Sequence, residues 1–267
     1  MSLRFAASSL AQRAVDLYYA SLPRRRPSRQ ALERCRVVSH RGEHDNRLCR
    51  ENTLAAFSAA ADAGAWGIEF DVRWTSDLQP VVIHDPGSAR VFGPDIEIAA
   101  VEFAELRRCL PEIPSLEEVV EAHGRRRHLM VELKPDRLGR AAEKGERLAR
   151  IFAALEPGRD FHFLALQPES LEPAAFAGRP ACLLVAEVNT ARLSRLAVEG
   201  GYGGLCGHYL LIGNRVIERH RACGQQLGTG FAASRFGFYR EVNRGIDWIF
   251  TNHAAKLARL RARLLRR

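Results

Sequence analysis

From Cys35 onward the chain alternates between short, almost continuously apolar runs and longer amphipathic stretches. The runs are VVSH, GIEFDV, PVVIHD, HLMVEL, FHFLAL, ACLLVA, GGLCGHYLL, QQLGTGF and DWIFTN. Strands of this character belong to a parallel sheet covered on both faces, since a strand with one wet face alternates instead. Between them ENTLAAFSAAADAG, PSLEEVVEAHG, TARLSRLAVEG, GNRVIERHRACG and SRFGFYREVNRG open near Asn, Ser or Thr and close on Gly64, Gly124, Gly200, Gly224 and Gly245. These are helix cap and stop signals, and Ser115 with Glu118 predicts a capping box. The repetition predicts an α/β fold, a (β/α)8 TIM barrel. Nine candidate strands compete for eight barrel positions, and one of the last three is expected to be irregular.

Ahead of the barrel, Leu3, Ala7, Leu10, Ala14 and Leu17 form an apolar stripe at helical spacing, and the prolines of SLPRRRPSR end it. The expected division is an N-terminal helical extension with an Arg/Pro linker over 1–34, the barrel over 35–253, and a basic C-terminal helix over 254–267. At 267 residues, 46% apolar and 27% charged, the chain suits one large core. No apolar run approaches the roughly 20 residues that span a bilayer. Six scattered cysteines without a CxxC pair favour a reduced, cytoplasmic setting.

The net charge of +9 belongs to the ends. Residues 1–34 hold seven arginines against Asp16 and Glu33, residues 254–267 hold six basic residues and no acid, and 35–253 carries −2. A nucleic-acid enzyme would carry its positive field around the site, so no nucleic-acid partner is expected. The basic ends admit a peripheral membrane contact, and residues 1–34 also a transit-peptide reading; the simpler reading of 1–34 is a helix packed on the bottom of the barrel followed by a linker.

The chemistry gathers at strand ends, where barrels of this class keep their reactive side chains. In IEFDV the apolar Ile68, Phe70 and Val72 alternate with Glu69 and Asp71, which puts both carboxylates on one strand face. Buried there they repel each other unless a cation lies between them. Glu132 and Lys134 of VELK share a face in the same way, and His40 and His84 end two further runs. Three carboxylates are hard oxygen donors that suit Mg²⁺ or Ca²⁺. Lys134 is one of only three lysines against 37 arginines, so its position asks for an ammonium. Glu51 and Asn52 are expected to shape a helix start, with Asn as the cap.

Taken together, HRG, ENT followed by AF, IEFDV, PVVIHD, IPSLEEV, VELK and GIDWIFTN resemble the glycerophosphodiester phosphodiesterase family over about residues 37–253. The resemblance implies a TIM barrel that hydrolyses glycerophosphodiesters, small-molecule substrates, to glycerol phosphate and an alcohol with a divalent cation. It implies His40 and His84 as the acid/base pair, Glu69, Asp71 and Glu132 as metal ligands, and Arg41 and Lys134 as phosphate contacts. Two imidazoles with pKa near 6.5 suit a reaction that needs both a base and an acid at neutral pH. Alternatives are a phospholipase D-like enzyme acting on lysophospholipids or sphingomyelin, and an inactive membrane or protein adaptor. The chain departs from the family at Arg50, where proline is usual, at LALQPES on the fifth run, and in having only 28 residues between Asp85 and Pro114. That short segment is expected to leave the mouth less covered. The basic ends are expected on the opposite face, where they would not deliver lipid to the site.

Overall fold

In the computed structural model, which describes residues 15 and 17–266, eight parallel strands close into a ring. They are β1 (Arg36–His40), β2 (Gly67–Trp74), β4 (His128–Leu133), β5 (Phe161–Ala165), β6 (Cys182–Ala186), β7 (Gly204–His208), β8 (Gln226–Gly230) and β9 (Trp248–Thr251), and β1 pairs with both β2 and β9. The ninth, β3 (Pro80–Val82), pairs antiparallel with β2 alone and lies outside the ring. The surplus run is therefore PVVIHD, and the last three candidates are all regular barrel strands. The reason is local: β2 overshoots the ring, the chain turns back at residues 75–79, and a strand opening on proline needs an edge position.

The helices are α1 (Arg29–Arg34), α2 (Leu54–Asp62), α3 (Ala89–Phe92), α4 (Phe103–Cys109), α5 (Leu116–His123), α6 (Ala141–Ile151), α7 (Thr190–Glu199), α8 (Asn214–Ala222), α9 (Arg235–Asn243) and α10 (Ala254–Leu265). Ser115 and Glu118 form the predicted capping box on α5. After β5 the α-helix is replaced by 3₁₀ turns over Pro168–Ala177, where Pro173 removes a backbone donor.

Strand parity sorts the side chains into two shells. Val37, Ile68, Phe70, Val72, Leu129, Val131, Phe161 and Phe163 face the helices, while Val38, Met130, Leu164, Leu183, Cys206, Trp248 and Phe250 fill the barrel. The acidic residues of β2 and β4 have the parity of the inner shell and lie above it. The segment 86–113 has its own small core, with Phe92, Ile98, Leu106 and Leu110 under β3.

The ends of the chain meet at the bottom. Arg26 donates to the Leu264 carbonyl at 2.8 Å, Arg29 to Leu265 at 2.9 Å, and Arg261 to Leu32 at 2.8 Å. Residues 17–21 do not stay there. They are helical, and the Tyr19 ring meets Tyr209, just past the end of β7, edge-on at 5.4 Å. The described arginines Arg26 and Arg29 of this end stay at the bottom face, and it is the uncharged residues 17–21 that reach Tyr209. Of the predicted stripe, Leu3, Ala7, Leu10 and Ala14 lie outside the described residues. Among the described residues no helix is long and apolar enough to cross a membrane.

Candidate active site

The site is built from two left-handed turns braced against β2. Arg41, at φ 60°, follows β1 and donates its backbone N–H to the Glu69 carbonyl at 2.9 Å; Asn52, at φ 59°, donates to the Arg41 carbonyl at 3.0 Å. Such conformations cost non-glycine residues on the order of 1–3 kcal/mol and persist only where surroundings hold them. Between the two turns Gly42, at φ +81°, packs so closely on α2 that a Cβ there would lie 2.6 Å from that of Ala56. That contact explains the glycine of HRG.

The turns aim their side chains inward. Arg41 Nε lies 3.1 Å from Asp71 Oδ2 and its Nη1 3.0 Å from Glu51 Oε1, while Asn52 Nδ2 donates to Asp71 Oδ2 at 2.8 Å. The helix cap is Thr53, whose hydroxyl accepts from the Ala56 N–H. Asn52 is thus a carboxylate partner, not the cap expected of it. Glu51 accepts from Arg41, Asn46 and Arg90, and although burial opposes it, Arg90 and Arg41 hold its carboxyl down to about 2.

Register sets the carboxylates. Asp71 and Glu132 are paired positions on β2 and β4, and His40 and Glu69 are paired on β1 and β2. Oxygens of Glu69, Asp71 and Glu132, all buried, lie within 4.8 Å of one another. Lys134 Nζ sits 2.8 Å from Asp71 Oδ1 and also pairs with Glu132. Burial would raise Asp71, but Arg41 and Lys134 hold it well below the usual carboxylate range. Burial and the charges of Asp71 and Glu132 push Glu69 well above that range. Lys134 and the Arg41 guanidinium bring two positive charges to three carboxylates, both of them onto Asp71. A buried cluster of hard oxygen donors, one of them with its pKa raised by burial and by the charges of the other two, fits a divalent cation, and the Lys134 ammonium shows that a cation is accommodated at that level.

The histidines arrive by different routes. His40 ends β1, with Nδ1 2.6 Å from Asn252 Oδ1 and Nε2 3.9 Å from Glu69 Oε2. Burial, with the Arg41 charge beside it, lowers its pKa to about 3. His84 ends no barrel strand: the β2–β3 hairpin folds it back, with Ile83 N–H on the Asp71 carbonyl at 2.9 Å, and so drops it to the carboxylate level. Its Nδ1 lies 2.6 Å from Asp85 Oδ1, and burial lowers its pKa. Asn252 and Asp85 stand within GIDWIFTN and PVVIHD, one residue past the end of β9 and next to His84, and only those positions could have suggested a role.

His40, Arg41, Glu69, His84, Glu132 and Lys134 line one side of a cavity of about 590 Å³. The opposite wall is mostly apolar, with Leu164, Leu166, Val185, Val188, Leu211 and Phe231, and carries Glu187 and His208 as its polar members. No lining residue comes from 86–113.

Comparison with known proteins agrees with this geometry. Residues 40–157 match the Glycerophosphoryl diester phosphodiesterase family. Glycerophosphodiester phosphodiesterase 1 of Mus musculus is 35% identical over 114 residues, 35% of this chain and 34% of that protein. The chain thus spans about a third of the length of the curated relatives it first matches. The crystal structure of a glycerophosphodiester phosphodiesterase from Thermotoga maritima, 25% identical, superposes with a TM-score of 0.70 over 85% of this chain and 98% of that one. The fold is shared, at 23% identity and a TM-score of 0.72 over 85% of this chain and 96% of the other, with an Oleispira antarctica phosphodiesterase solved with the product sn-glycerol-3-phosphate. With its histidines, carboxylates and lysine brought to one barrel mouth, the segment 40–157 carries the match to the Glycerophosphoryl diester phosphodiesterase family, on a barrel shared with solved glycerophosphodiester phosphodiesterases.

Proposed function

We propose that the chain hydrolyses glycerophosphodiesters to glycerol phosphate and an alcohol. The observation that carries the reading is the pairing of three buried carboxylates with two imidazoles whose Nδ1 atoms are both engaged, so that both Nε2 atoms are left for chemistry. Glu69, Asp71 and Glu132 would hold Mg²⁺ or Ca²⁺, which when bound supplies positive charge for the phosphoryl oxygens. Arg41 and Lys134 line the same cavity and add fixed cations for those oxygens.

His40 is kept neutral by burial and by Arg41, so its Nε2 serves as the base that takes the proton of the attacking oxygen. His84 has a carboxylate on Nδ1, which stabilises an imidazolium, so it serves as the acid that returns a proton from Nε2 to the leaving alkoxide. The P–O bond to the alcohol breaks as the new one forms. The test is turnover of glycerophosphocholine with phosphorus NMR of the product. Metal-stimulated, EDTA-sensitive release of glycerol phosphate is expected, and absence of turnover under Mg²⁺ and Ca²⁺ would sink the reading.

A further inference from the structure

The first turns of the helices around the mouth are divided by charge, and the division runs against helix electrostatics. Helices α7, α8, α9 and α10 leave the mouth after β6, β7, β8 and β9, and none has an acidic residue in its first turn. Each instead carries an exposed cation there: Arg192, Arg215, Arg235 and Lys256. A helix N-terminus is the unfavourable end for positive charge. The segments leaving β4 and β5 follow the ordinary rule, with Glu143 and Glu169 in their first turns. The four cations therefore gain nothing from the dipoles of their own helices, although Arg235 also lies over the Phe236 ring at 4.7 Å.

The same arc exposes aliphatic side chains to water. Leu48 is 97% exposed, Val188 94%, Leu210 40% and Leu211 42%. They stand in the loops above β1, β6 and β7, and β6, β7, β8, β9 and β1 are successive neighbours in the ring. Val188 and Leu211 also form the edge of the apolar cavity wall, so the exposed surface is continuous with the inside of the pocket. Tyr18, 60% exposed, reaches the arc through the Tyr19 and Tyr209 rings.

We propose that this arc is a docking surface for an anionic lipid membrane. Aliphatic tips that enter the headgroup boundary, ringed by Arg and Lys that meet its negative charge, are what an interfacial protein presents. A second copy seated face to face would oppose the same cations, and a nucleic acid has no use for isolated aliphatic tips. The inference concerns where the molecule sits and holds whether or not the proposed reaction is correct; if both hold, the mouth opens on the lipid–water boundary.

The test is co-sedimentation of the full chain with vesicles of equal parts phosphatidylglycerol and phosphatidylcholine, against vesicles of phosphatidylcholine alone. Binding to the anionic vesicles that weakens with salt is expected. R192Q/R215Q should weaken it about 20-fold or more, from about fivefold per cation near the surface, and L48D/L210D about tenfold or more. R125Q/R126Q, the same charge removed beside the start of β4 on the opposite face, should stay within about twofold, and melting temperatures should hold in all three. Absence of vesicle binding overturns the proposal, as does an equal loss in R125Q/R126Q. Binding that ignores L48D/L210D also overturns it, because it would mark a purely electrostatic acidic partner. A dimer broken by L48D/L210D, with no lipid binding, would assign the face to a second copy instead.

Discussion

His40 and His84 are aimed by partners of different charge, and that difference is testable residue by residue. Asn252 gives His40 a neutral acceptor, whereas the Asp85 carboxylate stabilises His84 when it is protonated. Removing that carboxylate lowers the His84 pKa, so Asp85→Asn should move the alkaline limb of the kcat profile to lower pH and reduce kcat. Asn252→Ala should lower kcat without moving that limb. An unmoved limb in Asp85→Asn would take the acid role from His84. His40→Ala and His84→Ala should each cost on the order of 10² to 10⁴ in rate. The carboxylates predict a split between stability and activity. Because Glu69 is buried against Asp71 and Glu132, Glu69→Gln should abolish activity and divalent-metal binding by calorimetry. Without metal it should melt higher, by about 2–4 °C for each ~1 kcal/mol of repulsion relieved.

At the scale of elements, what could be read from the chain was whatever repeats or alternates. The IEFDV alternation placed Glu69 and Asp71 on the inner face because burying Ile68, Phe70 and Val72 against the helices leaves them no other side. The capping box on α5 was equally local. The hairpin was not, since PVV has the composition of a buried parallel strand and only pairing with the overshooting end of β2 reveals its direction. Asn52 was misread for a related reason: Asn suits both a cap and a left-handed turn, and Thr53 took the cap. Two substitutions measure these devices by urea titration. Ser115→Ala should cost about 1 kcal/mol with activity unchanged. Gly42→Ala, strained by its φ of +81° and by Ala56, should cost on the order of 2 kcal/mol or more and reduce activity, because it displaces the turn that carries Arg41.

For the whole molecule, the barrel interior is charged at the mouth, apolar in the middle and aromatic at the bottom, and its two ends respond to pH in opposite directions. At the bottom His128 Nε2 lies 2.8 Å from His162 Nδ1, with Trp66 stacked on His128 and Trp248 edge-on to His162. Burial lowers His128 to about 4 and His162 to about 3. An unfolded chain takes up both protons near pH 6.5, so the stability from keeping the pair neutral is full above that value. It is lost as pH falls toward 3. At the mouth the sign reverses. Glu69 has a raised pKa in the fold, so without metal its contribution is lost as pH rises through that value. A divalent cation bound there would offset the loss. Metal-free protein should therefore be most stable between the two limits. Addition of Mg²⁺ should raise the melting temperature more at pH 8 than at pH 5. Replacing the pair, as His128→Phe with His162→Leu, should flatten the acid side and leave the Mg²⁺ response at pH 8 unchanged. Melting curves across pH, with EDTA and with Mg²⁺, check both limbs, and an acid side as steep in the double variant as in the parent would remove the histidine pair as its cause.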